Sequence, residues 1–79
     1  MFHPEIIKSR LRRRPFVPLR IMTSSGQAYD IRHPELVIVG VRYLVVGTPS
    51  NDAAVRYQTE NLLAIMHVTE LQDLPVPTA

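Results

Sequence analysis

Cysteine and tryptophan are both absent, and only five residues are aromatic. Without thiols the chain has no disulfide, no thiolate metal site and no cysteine nucleophile, a composition that suits a reducing compartment. Long apolar runs are missing as well. The longest reach four or five residues, against the roughly 20 needed to cross a bilayer as a helix. Nor does the start read as a secretory signal, because Ile6 and Ile7 are followed at once by Lys8, Arg10, Arg12, Arg13 and Arg14. A cytoplasmic chain without membrane attachment is expected. The three glycines stand apart at positions 26, 40 and 47, so no phosphate-cradling loop is present.

What remains is a chain of 79 residues whose apolar share is carried by Val, Leu and Ile. One domain of this size buries only about 60% of the surface its unfolded form exposes. Small domains offset that deficit with disulfides, metals or oligomerisation. The first is excluded here, and oligomerisation is the expected remedy. The organisation reads as a basic helix and linker over residues 1–15, a β domain over 16–72 and a tail over 73–79.

Charge is unevenly spread. Residues 1–20 carry Lys8, Arg10, Arg12, Arg13, Arg14 and Arg20 against Glu5 alone, whereas residues 21–79 carry Arg32, Arg42 and Arg56 against Asp30, Glu35, Asp52, Glu60, Glu70 and Asp73. A basic start on a mildly acidic body fits a nucleic-acid arm, or an arm docked on the body of its own or a neighbouring subunit.

His3-Pro4-Glu5 opens a short helix, with Pro at the position where its missing N–H costs nothing and Glu at the positive end of the dipole. Ile7 and Leu11 lie one turn apart on its apolar face, and Pro15 ends it by about Arg13 or Arg14. Val17, Leu19 and Ile21 share one face of a first strand. Thr23-Ser24-Ser25-Gly26 is a tight turn with Gly26 free to take positive φ. Tyr29 and Ile31 point to the core from a second strand, and Arg20 can meet Asp30 across the outer face.

His33-Pro34-Glu35 redirects the chain into two runs, Leu36–Val39 and Tyr43–Val46, that do not alternate. An antiparallel sheet in a small domain normally turns one face to water. Strands apolar on both faces therefore imply a closed barrel with a further covering surface, and Leu36, Ile38, Tyr43, Leu44 and Val46 are the candidate oligomer interface. Residues 47–52 read as a polar loop, Val55, Tyr57 and Thr59 as a strand, and 60–64 as a short helical turn. Residues 65–71 read as a last strand, although Leu62, Leu63, Met66 and Leu71 also fit a helical stripe.

Several residue sets invite a chemical reading. Arg10, Arg12, Arg13 and Arg14 are the candidate phosphate or nucleic-acid contacts, since guanidinium forks match phosphate oxygens; the plain alternative is a solvated helix face or a subunit contact. His33 and His67, with Glu35 or Asp30, are chemically suited to zinc but lack a tight ligand spacing. Ser24, Ser25 and Thr59 have no nucleophile elbow around them, and no small-molecule substrate or cofactor is indicated. Tyr43 and Tyr57 lie far in sequence from the Arg cluster, so the stacking platform that single strands need is not evident. A non-enzymatic module with no cofactor and no metal is expected.

With those residues in place, resemblances can be stated. Arg14-Pro15-Phe16, Pro18-Leu19-Arg20-Ile21, Gly26 and Tyr29-Asp30-Ile31-Arg32-His33-Pro34-Glu35, together with Ile65-Met66-His67-Val68, resemble the motifs of a family of small uncharacterised bacterial proteins common in planctomycetes. That resemblance implies a shared fold and carries no activity. The Arg10/Arg14 spacing is similar to the arginine half of a PilZ cyclic-dinucleotide site, whose second half has no match here. A helix followed by a meander of about five strands is similar to Sm-like and other SH3-like barrels, folds that often form rings and often bind RNA or peptides. The expectation is a mainly β protein, a small SH3-like or Sm-like antiparallel barrel with an N-terminal α-helix, which forms a homo-oligomer. RNA binding through the basic helix is the alternative function, and binding of a phosphate ligand at the Arg cluster a further one.

Overall fold

The computed structural model describes residues 2–49 and 57–75. Residues 50–52 of the expected polar loop, Val55 and the tail beyond Pro75 lie outside them. Helix α1 spans Pro4–Leu11, and six strands follow: β1 (Leu19–Thr23), β2 (Ala28–Ile31), β3 (Val37–Val39), β4 (Tyr43–Pro49), β5 (Tyr57–Ala64) and β6 (Val68–Asp73). They form two antiparallel sheets of three, ordered β2-β1-β6 and β3-β4-β5. A single closed ladder of about five strands was expected, and the ladders divide instead at two corners. Single 3-10 turns at Pro34–Leu36 and Ile65–His67 carry the chain from β2 into β3 and from β5 into β6. Pro34 has no N–H to give to a ladder, which explains the first corner.

The ends of α1 follow from its sequence. His3 accepts the Glu5 N–H on Nδ1 at 3.1 Å, Pro4 takes the first turn, and the Arg12 N–H returns to the Lys8 carbonyl. The helix stops at Leu11, two to three residues before the expected limit. Its apolar face is spent at home: Ile7 and Leu11 belong to the same buried cluster as Leu19, Ile21, Ile31, Leu36, Val37, Leu44, Val46, Ile65 and Val68. The helix is thus part of the one core, not a separate arm.

In the first hairpin, Leu19 pairs with Ile31, Arg20 with Asp30 and Ile21 with Tyr29. The turn joining them holds Gly26 at φ +88°, the left-handed region that glycine occupies without steric cost. β1 is the centre of its sheet because β6 pairs on its other side, from Leu19 opposite Asp73 to Thr23 opposite Val68.

Three expectations for the second half need correction. Residues 60–64 are strand, not a helical turn, and β4 runs on to Pro49 where a loop was expected. The stretch from Ile65 begins as a 3-10 turn before β6, so the helical stripe Leu62, Leu63, Met66, Leu71 does not form. This corner is pinned from both sides. The Ile65 N–H donates to the Arg42 carbonyl at 2.8 Å, and the Ser24 N–H donates to the His67 carbonyl at 2.8 Å.

Candidate interaction surfaces

The second sheet carries the most exposed apolar surface. Opposite β4, Val37 meets Val46, Ile38 meets Val45 and Val39 meets Leu44. On the other side Leu44 meets Leu63, Val45 meets Leu62 and Gly47 meets Glu60. Neighbours in register share a face and residues along a strand alternate. Ile38, Val45 and Leu62 therefore form one row across three strands, with Tyr43 and Ala64 to one side and Gly47 and Glu60 to the other. Leu44 is fully buried, whereas Ile38 is 70% exposed, Leu62 68% and Tyr43 53%. Of the five residues expected at an oligomer interface, Leu36, Leu44 and Val46 are buried in the core. Ile38 and Tyr43 are outside. Val45 and Leu62, which complete the row, were not among the expected five. Their signal was a residue parity that two-faced apolar strands do not reveal without a register.

Two hollows border this face. One of about 170 Å³ is lined by Glu35, Leu36, Ile38, Val45, Gly47 and Glu60. The other, about 350 Å³, lies at the opposite end, where Phe2, Val41, Arg42, Tyr43, Ala64 and Met66 surround it. The face thus has a carboxylate end, an apolar middle and an end that combines an aromatic ring with a guanidinium.

The basic cluster is divided by its partners. Arg13 donates to the Asp73 carboxylate at 2.8 and 3.1 Å, and Arg10 adds a bond to the same group at 3.2 Å. Hydrogen bonding from Arg13, and the positive charge of both arginines, hold the Asp73 carboxyl below its usual range, and the same bond raises Arg13. Arg10 and Arg13 therefore face an internal carboxylate. Lys8 and Arg12 share Glu5 at 3.5 and 3.8 Å. Arg14 donates to the Arg13 carbonyl. Lys8, Arg12 and Arg14 line a shallow hollow with Leu11, Pro34, Glu35, Val37 and Val39, which contains no aromatic ring for a base to stack on. The four arginines do not converge on one external site.

On the first sheet, Arg20 binds Asp30 through two nitrogens at 2.7 and 3.1 Å, the cross-strand pair expected from alternation. That bond lowers the Asp30 carboxyl and raises Arg20.

The remaining candidates do not assemble into a catalytic constellation. Ser24 Oγ lies 3.3 Å from His67 Nδ1 in a hollow shared with Thr23, Ser25, Tyr29, Leu62, Leu63 and Ala64. No carboxylate lines this hollow to orient the imidazole. Thr59 is elsewhere, bonded to Thr48 across β4 and β5. His33 is exposed at the first corner, away from His67. Among the described residues no three His, Asp or Glu side chains gather closely enough to hold a metal ion. No helix among them is long and apolar enough to cross a membrane.

No family model matches the chain, and no curated protein or solved structure matches it.

Proposed function

We propose that this chain is a non-enzymatic β-barrel interaction module of the SH3-like or Sm-like kind, which assembles with copies of itself through the outer face of β3, β4 and β5. One observation carries the reading: the row Ile38–Val45–Leu62 leaves two large aliphatic side chains about two-thirds exposed, one on either side of the half-buried Val45. Single exposed apolar residues are ordinary, but a contiguous group marks a contact surface. The barrel assignment is supported by the path of the chain, since β2 passes into β3 and β5 into β6 while β1 pairs with both β2 and β6. Kinship with the small bacterial family belongs to the same proposal. Its motif residues fall on structural positions here: Arg20 and Asp30 form the cross-strand pair, and Pro34 makes the first corner. A reducing cytoplasm is the proposed setting.

The test is the mass of the folded chain in solution. Light scattering of the full chain should report an oligomer, and Ile38→Asp or Leu62→Asp should return it to monomer with an unchanged circular-dichroism spectrum. A wild-type chain that stays monomeric as concentration rises would overturn the reading. RNA or phosphate-ligand binding at the Arg cluster draws less support, because Arg10 and Arg13 are turned to Asp73.

A further inference from the structure

The outer face of β3, β4 and β5 is complementary to itself, and we infer that two copies of the chain bind there face to face about a two-fold axis that runs along the row Ile38–Val45–Leu62. This inference rests on the reading of that face as a self-association surface.

The geometry follows from register. On β4, Tyr43 and Gly47 stand two residues to either side of Val45 and share its side of the sheet, Tyr43 exposed and Gly47 buried. At about 3.3 Å per residue each lies roughly 7 Å from the row. A two-fold axis in the interface, perpendicular to the strands and along the row, reverses strand direction while keeping each strand above its own copy. Ile38 then meets Ile38 of the second copy, and Leu62 meets Leu62. Tyr43, which projects from one end, arrives over Gly47 of the second copy. There Gly47, which has no side chain, lines the hollow of about 170 Å³ together with Glu35, Leu36, Ile38, Val45 and Glu60. The operation makes this fit twice.

Charge obeys the same symmetry. Glu35 and Glu60 flank the hollow at one end of the face, and Arg42 lies beside Tyr43 at the other. Glu60 and Arg42 form no ion pair with a described residue of their own chain. The two-fold carries the carboxylate end of each copy over the Arg42 end of the other, so Glu60 faces a guanidinium instead of a second carboxylate. An apolar centre with charged pairs at its rim is the usual anatomy of a protein interface, and the charges fix orientation more than affinity. The contact area is three strands wide and modest, which places it among concentration-dependent interfaces.

Sedimentation equilibrium of the full chain, from about 10 μM to about 1 mM, reads the dissociation of such an interface. The expected result is a monomer–dimer equilibrium with no larger species. Tyr43→Ala should weaken the dimer about tenfold or more, as loss of an aromatic anchor does. Arg42→Glu alone, and Glu35→Arg with Glu60→Arg together, should each weaken it by placing like charges opposite one another. An equimolar mixture of those two variants should regain a dimer of wild-type strength, because one end then keeps the wild-type pairing and the other carries its reverse. Suppose the mixture stays as weak as its components while Leu62→Asp still yields monomer. The two-fold arrangement would then fall and the self-association reading would stand. A ring or filament would overturn the two-fold and leave that reading intact, whereas a monomer throughout would overturn both. Circular dichroism of each variant confirms that the fold is kept.

Discussion

Arg13 and Asp73 are 60 positions apart and joined by two hydrogen bonds, at 2.8 and 3.1 Å. Arg13 follows the helix that begins the fold, and Asp73 closes its last strand. With Ile7 and Leu11 buried beneath α1, this clamp makes the helix an integral part of the domain.

That placement has a stability consequence. Ile7 is fully buried and Ile6, its neighbour, is 43% exposed. Ile7→Ala should cost about 2–5 kcal/mol, as truncation in a close-packed core does. Ile6→Ala should stay within about 0.5 kcal/mol. Urea denaturation of both variants reads the difference directly. Equal, small effects would mean that the helix is loose.

The clamp also predicts a response to acid. Asp73 and Asp30 titrate below their usual range, chiefly through hydrogen bonds from Arg13 and Arg20. A carboxyl lowered in the folded state stabilises the fold above its ordinary pKa, and that contribution is lost as pH falls through the folded value. The thermal midpoint should lose this contribution only below about pH 4. In Asp73→Asn the fall over that acid range should be shallower. A slope unchanged in the variant would show that the pair adds nothing to stability.

The division of the basic cluster sets a limit on polyanion binding. If Lys8, Arg12 and Arg14 alone are free to meet phosphates, the slope of log K against log salt for a single strand is at most about −2. All six cations of the first 20 residues would give about −4. Fluorescence titrations of a labelled oligonucleotide over a salt series separate the two values. Arg10→Ala and Arg13→Ala should leave the measured slope unchanged.

Gly26 tests the first hairpin. Its φ of +88° is strained for any residue with a Cβ, although the space around it is open. Gly26→Ala should therefore cost about 1 kcal/mol or slightly more. Gly26→Asn should cost less, since Asn tolerates the left-handed region. Thermal melts of the two variants give the order, and the reverse order would refute the backbone argument.

The half of the fold governed by clean alternation was legible in the residues themselves. Arg20 opposite Asp30, the turn at Gly26 and the inward set Leu19, Ile21 and Ile31 all follow from a period of two and one turn signal. The other half was not. Leu36, Ile38, Leu44 and Val46 are equally apolar, so nothing in their composition says which side of the sheet each takes. Only pairing with β5 settles it, and that leaves Ile38 outside with Leu62 while Leu44 and Val46 go in. The partner of Arg13 was hidden for a different reason. A basic run shows its charge, but the carboxylate that answers it is 60 residues away and reaches it only once β6 lies beside β1.

The central place of β1 has a consequence for synthesis on the ribosome. One flank of β1 pairs with β2, which follows within a few residues, and the other waits for β6. Leu19 does not meet its partner Asp73 until nearly all of the described chain has been made. The nascent protein therefore emerges with an open edge on β1, which closes only once β6 has left the exit tunnel. A translation stall before Val68 would release a sheet that still lacks its third strand.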